Sequence, residues 1–261
     1  MTEAADPFAV YAVRYATRMA PAHECFLGAG PGEPDRRMDY FVWVAANRST
    51  TVVLDTGFSE AVGAQRKREY LGSPVDGLRA LGIDPAKVDR VVLSHMHWDH
   101  VGNTTYFANA QFFIQAAEMA FYTGPAAHYG RFIRSIEVDD VVNLVRANYD
   151  GRMRFIEGEA ELTPGITLHL VGGHTAGSQV VRVHTARGWV ILAADAAHYY
   201  EEIEQLRPFP TLHDLAAMYK GYETVNRLAD SPEHVIPGHD ALVMERYPAI
   251  DAATPHIVRV A

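Results

Sequence analysis

The chain has one cysteine, few basic clusters and no long apolar run. Because Cys25 is the only cysteine among 261 residues, no disulfide can form within the chain, which is typical of a reducing compartment. No apolar stretch is long enough to span a bilayer. The acidic segment 1–7 also lacks the apolar centre of a signal peptide. These absences predict a soluble, cytoplasmic protein with no membrane partner.

Positive charge is also scarce. The chain has 23 Lys and Arg against 32 Asp and Glu, a formal net charge of -9. An acidic chain repels phosphate backbones, so we expect no nucleic-acid partner. The short basic cluster Arg66, Lys67 and Arg68 is interpreted as the solvated face of a helix. A G-x-S-x-G nucleophile elbow is absent as well, which disfavours that class of serine hydrolase.

What remains is an ordinary globular composition, with 48% hydrophobic and 21% charged residues. We find no linker and no clean repeat, and we predict one α/β domain over residues 1–261, with two packed sheets and helices outside. Apolar runs bounded by turn signals predict strands at 9–15, 40–44, 50–54, 90–93, 111–114, 152–156, 166–171, 179–184, 189–193 and 234–236. Helical patterns cover 59–70, 75–81, 116–122, 138–148 and 212–228, and the Gly- and Pro-rich stretch 18–37 is predicted to be a long loop.

The densest chemical signal is the segment 95–100, directly after a predicted strand. It places four potential metal ligands within six residues: His95, His97, Asp99 and His100. Imidazole and carboxylate suit zinc and related first-row metals. Burying so many polar groups together without a metal would be costly. Four ligands exceed what one open catalytic ion needs, so the segment predicts two neighbouring ions.

Three more candidate ligands follow apolar strands and small-residue turns: His174, Asp195 and His239. Taken alone, such a histidine is usually a hydrogen-bonded or surface residue, and such an aspartate is usually a turn or helix-capping residue. Their common setting, a strand followed by small residues that allow close backbone approach, favours a shared site.

Together these motifs resemble the metallo-β-lactamase superfamily. The match consists of H-x-H-x-D-H at 95–100, then His174, Asp195 and His239 in that order, with Asp55 in a Leu-Asp-Thr-Gly turn as a further motif. It covers about residues 40–240. The resemblance implies an αβ/βα four-layer sandwich with the site at one edge of its two sheets.

The resemblance also implies a role for each position. His95, His97 and His174 would hold one divalent ion, while Asp99, His100 and His239 would hold a second. Asp195 would bridge the two ions, and Asp55 would orient ligands without binding metal. Zinc is the expected metal, with iron, manganese and cobalt also compatible with this ligand set.

The implied chemistry is attack of a metal-bridging hydroxide on a carbonyl carbon, with Asp99 relaying a proton to the leaving oxygen. Within the superfamily the chain is most similar to the N-acyl homoserine lactonase group, which implies that it opens a lactone or related ester and suggests a homodimer. A thioesterase of the glyoxalase II type and a phosphodiesterase on the same fold are the alternatives.

One position departs from the lactonase pattern. Those enzymes commonly place a substrate-contacting Tyr three residues after the bridging Asp, where this chain has His198, followed by Tyr199 and Tyr200. Either His198 or Tyr199 is therefore a candidate substrate contact, and an ordinary loop role for His198 is equally open. Segments 18–37 and 199–211 are expected to line the mouth of the site, and they contain Met19, His23, Phe26, Leu27, Leu206, Phe209 and Pro210. An apolar mouth would suit a substrate with an apolar chain, but packing of these residues onto the core is an equally open alternative.

Overall fold

The computed structural model describes residues 6–261. The acidic segment 1–7, which we predicted not to be a signal peptide, therefore lies largely outside the described residues. The strands are β1 (Ala9–Ala20), β2 (Arg36–Ala46), β3 (Thr51–Leu54), β4 (Glu69–Tyr70), β5 (Arg90–Val92), β6 (Gln111–Gln115), β7 (Met153–Ile156), β8 (Glu159–Thr163), β9 (Ile166–Leu170), β10 (Gln179–Thr185), β11 (Gly188–Ala194), β12 (Val235–Pro237) and β13 (Ile257–Arg259). The helices are α1 (Ala22–Cys25), α2 (Glu60–Gln65), α3 (Pro74–Ala80), α4 (Trp98–Val101), α5 (Ala116–Tyr122), α6 (Gly130–Ile133), α7 (Val138–Tyr149), α8 (Tyr200–Glu204), α9 (Leu215–Leu228) and α10 (Leu242–Arg246).

The strands form two sheets. The first has the order β13-β1-β2-β3-β5-β6-β7, with β4 also paired to β1. In this sheet β1, β2 and β3 pair antiparallel with one another in that order, whereas β3, β5, β6 and β7 pair parallel. The second sheet has the order β12-β11-β10-β9-β8 and is antiparallel except for the parallel pair β11 and β12.

The two sheets pack face to face, and each carries helices on its other face. Successive strand residues point to opposite faces, and β11 shows the consequence. Val190 and Leu192 belong to the core between the sheets, whereas Ile191 and Ala193 belong to the core beneath α9. These layers confirm the predicted αβ/βα sandwich.

Helix α9 illustrates how the outer layers attach. Its buried residues Met218, Tyr222, Val225 and Leu228 recur at helical spacing and form one apolar face. Asp214 caps the helix by accepting a hydrogen bond from the Ala217 amide at 2.9 Å.

Three sequence predictions need correction. The predicted loop 18–37 is shorter, because β1 continues to Ala20 and pairs with β2 as far as Arg36. The predicted helix 59–70 ends at Gln65, since the chain then turns into β4. Strands β8 and β13 were not predicted. Tertiary pairing supplies the backbone partners of these segments, which local patterns do not reveal.

Among residues 6–261, no helix combines the length and apolar character needed to cross a bilayer.

Candidate metal centre

The candidate site is built from loops that follow strands. Asp55 follows β3 and the segment 94–100 follows β5, and these strands are parallel neighbours, so their carboxyl ends lie side by side. In the second sheet, Asp195 follows β11 and His239 follows its parallel neighbour β12. His174 lies in the loop between β9 and β10.

Close backbone packing between two of these loops requires Gly238. A Cβ atom at this position would lie 2.5 Å from the Ala194 carbonyl oxygen and 2.6 Å from its carbonyl carbon. Glycine therefore allows the His239 loop to lie directly against the residue before Asp195.

The candidate ligands converge in two sets. In the first, His174 Nε2 lies 2.8 Å from His97 Nδ1 and 3.1 Å from His95 Nε2. In the second, Asp99 has one carboxylate oxygen 3.7 Å from His100 Nε2 and the other 3.8 Å from His239 Nε2. The ligand atoms within each set lie within 4.8 Å of one another. The structure thus brings together all six side chains in the pairing that the resemblance implied.

Asp195 lies between the two sets. Its Oδ2 is 3.3 Å from His174 Nε2, and its Oδ1 is 3.0 Å from His239 Nε2 and 3.2 Å from His100 Nε2. Each carboxylate oxygen therefore faces a different set, as a bridging ligand requires.

The donor set fits a pair of metal ions. His100 Nε2 and Asp195 Oδ1 are buried and make no hydrogen bond, although they lie only 3.2 Å apart. Buried polar atoms without partners are costly and rare. Metal ions held between the two sets would satisfy both atoms, and imidazole with carboxylate is a common ligand combination for zinc and its neighbours.

Several candidate ligands have pKa values shifted in the direction that metal binding needs, whereas neighbouring carboxylates outweigh burial and raise the pKa values of His100 and His239. Burial and the neighbouring histidines hold the pKa values of His95 and His97 well below their usual range, which favours neutral rings with a free lone pair. Burial alone would raise the pKa of Asp195, but His100, His239 and His198 hold it well below its usual value. The carboxylate is therefore ionised.

Asp55 fixes two ligands through one network. Its carboxylate accepts hydrogen bonds from His100 Nδ1, the Ser94 amide and the Ser94 hydroxyl, each at 2.7 Å. The Ser94 oxygen in turn lies 3.0 Å from His95 Nδ1. Both histidines consequently direct Nε2 at the cluster, which is the arrangement expected if Asp55 orients the ligands.

The other histidines have partners that the sequence did not reveal. His174 Nδ1 donates to the Thr211 carbonyl at 2.6 Å, and His239 Nδ1 donates to the Asp39 carbonyl at 2.8 Å. His97 differs, because its Nδ1 faces the cluster and its Nε2 lies 2.8 Å from the Tyr122 hydroxyl.

Glu118 is a second residue that sequence reasoning did not identify. This fully buried carboxylate accepts hydrogen bonds from the Met96 amide at 2.9 Å and from the Thr175 hydroxyl and Gly177 amide at 2.7 Å. It thereby ties the loop of His95 and His97 to the loop of His174. Burial raises the pKa of Glu118 to about 7.

The two candidate substrate contacts lie in different places. His198 lies in the site, with Nε2 3.0 Å from Asp195 Oδ2, its ring stacked on Phe209 at 3.6 Å, and a buried Nδ1 without a hydrogen-bond partner. Tyr199 is turned away, and its hydroxyl lies 3.4 Å from Cys25 Sγ. The local sequence could not separate the two, because the turn after Asp195 determines which side chain points inward.

A cavity of about 450 Å³ opens onto the cluster. Of the predicted apolar mouth, only His23 and Pro210 line it. Phe26 and Phe209 are buried in the cores, while Met19, Leu27 and Leu206 are exposed outside the cavity. The remaining lining besides the candidate ligands and His198 is Arg18, Glu24, Met38, Tyr40, Arg66, Arg68, Trp98, Arg134, Ser135 and Thr211. Both segments therefore contribute to the mouth as expected, but mainly through polar residues, and Phe26 and Phe209 follow the alternative of packing onto the core.

Known proteins share both sequence and fold with this chain. The family model described as the Metallo-beta-lactamase superfamily matches residues 36–239. An N-acyl homoserine lactonase of Bacillus cereus is 32% identical over 72% of this chain and 78% of its own, and the N-acyl homoserine lactonase AiiB of Agrobacterium fabrum is 30% identical over 73% and 75%. A crystal structure of a quorum-quenching N-acyl homoserine lactone lactonase superimposes with a TM-score of 0.79 at 19% identity, covering 94% of this chain and 97% of the other. With its ligand motifs, its four layers and a family match over most of its length, this chain belongs to the metallo-β-lactamase superfamily.

Proposed function

We propose that this protein is a dinuclear metal-dependent hydrolase that opens a lactone or a related ester. The observation that carries the proposal is the division of donors into two sets that share Asp195, one carboxylate oxygen facing each set. The sequence relatives named as lactonases support the choice of bond. Zinc is the proposed metal, since three histidines with a carboxylate form a typical zinc ligand set.

The metal ions, when bound, would lower the pKa of water and polarise the substrate carbonyl. The chain supplies the positioning and the proton transfer. Asp99 lines the cavity, where its carboxylate can carry a proton to the leaving oxygen. Its backbone carbonyl accepts a hydrogen bond from the Tyr15 hydroxyl at 2.9 Å, which fixes the start of α4.

His198 is the proposed substrate contact. It lines the cavity, is held by Asp195 and Phe209, and keeps one ring nitrogen without a protein partner. It occupies the position where the lactonase group commonly has Tyr. Tyr199 is not part of this proposal, because its hydroxyl contacts Cys25 and its side chain lies outside the cavity.

An apolar part of a substrate has a second place to pack. A cavity of about 230 Å³ lies beside Tyr122, whose hydroxyl contacts His97, and the rest of its lining is Ala127, His128, Ile133, Ile136, Val138 and Val141. This apolar cavity supports a substrate with an apolar chain better than segments 18–37 and 199–211 do.

A direct test is to measure metal content and then to assay γ-lactones, thioesters and bis-p-nitrophenyl phosphate with the same preparation. We expect about two metal ions per chain and lactone opening that a chelator abolishes and zinc restores. Thioester cleavage alone would favour a glyoxalase II type of enzyme, and phosphodiester cleavage alone would favour a phosphodiesterase. Stoichiometric metal without any of the three activities would contradict the hydrolase proposal.

The proposal extends to the state of the protein in the cell. We propose that residues 1–261 form one hydrolase domain that acts in the cytoplasm, as a homodimer, without nucleic-acid or membrane partners. The buried free thiol of Cys25 supports a reducing compartment. Sedimentation of the purified chain tests the homodimer.

A further inference from the structure

The cavity in front of the cluster has an arginine-rich wall that the proposed reaction does not use. Its lining includes Arg18, Arg66, Arg68 and Arg134, and the carboxylates beside them are Glu24 and the two candidate metal ligands Asp99 and Asp195. The chain as a whole has a net charge of -9. The group of four arginines is therefore opposite in sign to the net charge of the molecule.

Two of the four arginines are neutralised by carboxylates. Arg18 pairs with Glu24 at 2.7 Å, and Arg66 pairs with Glu137 at 2.6 Å. Arg66 also donates to the backbone carbonyl of Arg134 at 3.0 Å. These contacts make the two side chains part of the framework of the cavity.

The other two arginines have no carboxylate partner among residues 6–261. Arg68 donates through Nε to the Tyr40 hydroxyl at 2.6 Å and through Nη1 to the Arg66 carbonyl. Arg134 donates through Nε to the Gly130 carbonyl at 2.7 Å. Arg68 Nη2 and both terminal nitrogens of Arg134 therefore remain available, and a guanidinium presents such donors in a planar fork that matches a carboxylate or a phosphate.

Aromatic residues hold Arg68 next to the metal ligands. Its guanidinium carbon lies 5.4 Å from the centre of the Trp98 ring and 5.8 Å from that of Tyr40. Trp98 directly follows His97 in the chain, and the Tyr40 ring lies 5.1 Å from the His239 ring. Arg68 is thus positioned in advance beside residues of both ligand sets, which reduces the entropy lost on binding.

We infer that Arg68 and Arg134 bind an anionic group, a carboxylate or a phosphate, that the substrate carries in addition to its hydrolysable bond. This rests on the proposed hydrolase function and specifies its substrate class. A neutral substrate in the cavity would displace water from the free donors of Arg68 without giving them an acceptor, which is unfavourable. The interpretation of 66–68 as a solvated helix face is accordingly wrong for Arg66 and Arg68, which line the cavity, although Lys67 is exposed.

Matched acids test the inference without requiring the true substrate. Binding of succinate, glutarate and adipate to the metal-loaded protein is compared calorimetrically, at low ionic strength, with binding of butyrate, pentanoate and hexanoate. Every acid can place one carboxylate at the metals, but only a diacid can reach the arginines as well. We expect the best diacid to bind about tenfold tighter than its monoacid, since charge-assisted bidentate contacts are strong. Comparing 3-phosphonopropionate with succinate separates a phosphate preference from a carboxylate preference.

Variants assign the difference to the two arginines. Arg68→Gln with Arg134→Gln should abolish the diacid preference, because it lowers diacid affinity far more than monoacid affinity. Arg79→Gln with Arg146→Gln removes the same charge from exposed positions outside the cavity and should preserve the preference. If the Arg68 variant fails to fold, Arg134→Gln alone should still reduce the preference, because its side chain is exposed and only Nε is engaged.

The possible failures are distinguishable. Equal binding of diacids and monoacids by an active lactonase would overturn the anion subsite and leave the proposed function intact. An arginine-dependent diacid preference in a protein that opens no lactone would contradict the proposed function alone. For an active enzyme, a γ-lactone bearing a carboxylate should have a lower KM than its methyl ester, and only the cavity double variant should remove that difference.

Discussion

At the scale of single residues, each candidate histidine ligand uses one ring nitrogen for the cluster and the other for a fixed partner. Asp55 holds His100 directly and His95 through Ser94, while backbone carbonyls hold His174 and His239. Such partners determine both the ring orientation and the tautomer, so their loss weakens metal binding although no ligand is removed.

Tyr122→Phe tests this role on His97. The substitution removes the hydroxyl 2.8 Å from His97 Nε2 and leaves the ring in place. We expect metal affinity at that set of ligands to fall about 10- to 100-fold, measured by competition with a chromophoric chelator. Tyr106→Phe, at an exposed tyrosine, should leave the affinity unchanged. Equal affinities in both variants would show that His97 needs no such partner.

Glu118→Gln tests the connection between two ligand loops. Glutamine must direct its amide nitrogen at one of three hydrogen-bond donors, which leaves a buried donor without an acceptor. We expect the free energy of unfolding in urea to fall by about 1–3 kcal/mol. Glu157→Gln, at an exposed position, provides the matched control. An unchanged free energy of unfolding would show that the loops hold together without this carboxylate.

At the scale of elements, the site depends on strand ends that lie side by side. The parallel pairs β3 with β5 and β11 with β12 place four ligand-bearing or orienting turns together, because neighbouring parallel strands end at the same edge. The turns after them are tightly packed, and Gly238 shows how little space remains.

Gly238→Ala should separate two of these turns. The new methyl group would meet the Ala194 backbone, so the His239 loop has to move. We expect a loss of about 1–3 kcal/mol in stability, measured by urea unfolding, together with reduced metal content. Gly72→Ala is the control, because a Cβ there meets no atom within 4 Å. Wild-type stability and full metal occupancy in Gly238→Ala would contradict the close approach.

Helix α7 contains a carboxyl group that should make stability depend on pH. Burial and the negative charges of Glu137 and Asp139 raise the pKa of Asp140 to about 7, although the positive charge of Arg66 lowers it in part. The pKa of an aspartate in the unfolded chain is near 4. Between about pH 4 and about pH 7, the folded protein therefore holds a proton on Asp140 that the unfolded chain releases. This contribution to stability is present at low pH and is lost as the pH rises through about 7.

Asp140→Asn removes that titration. We expect the variant to unfold at a higher temperature than the wild type at pH 8, with a clearly smaller difference at pH 5 and little difference at pH 4, measured by differential scanning calorimetry. Asp150→Asn changes an exposed carboxylate at the end of the same helix that does not shift the pKa of Asp140, and it serves as the control. A benefit that is equal at both pH values would contradict the raised pKa.

At the scale of the whole molecule, metal binding and folding should be linked. The two sheets contribute separate parts of the cluster, with residues 95–100 from the first and His174, Asp195 and His239 from the second. Ions held by both sets would therefore connect the sheets across their edge. Anything that binds only the folded state stabilises it by mass action.

Removing the metals should lower the melting temperature. Ions present at about a thousand times their Kd contribute roughly 4 kcal/mol, which corresponds to a fall of about 10 °C for a chain of this size. Thermal scans with chelator, with zinc-saturated chelator and after added zinc test this expectation. A melting temperature that stays constant while elemental analysis shows metal loss would contradict the linkage.

Most of the fold and of the candidate ligand set could be predicted from the sequence. The strands and helices with strong periodicity, such as β11 and α9, were identified because burial on a fixed face leaves a regular pattern. The ligands at 95–100 were identified because such a density of imidazole and carboxylate groups directly after a strand is typical of a metal site. Short or irregular elements such as β8 and β13 were missed, since distant strands, and not local preference, stabilise them.

The sequence by itself determined the chemistry, namely which side chains can bind metal and that a nucleophilic serine elbow is absent. Only the tertiary structure decided the surroundings of that chemistry. It placed His198 in the site and Tyr199 outside, directed Glu118 and Tyr122 at the ligand loops, and placed Arg68 and Arg134 on the cavity wall. The physical reason is that ligand type is a property of each side chain, whereas orientation and proximity depend on packing between segments far apart in the chain.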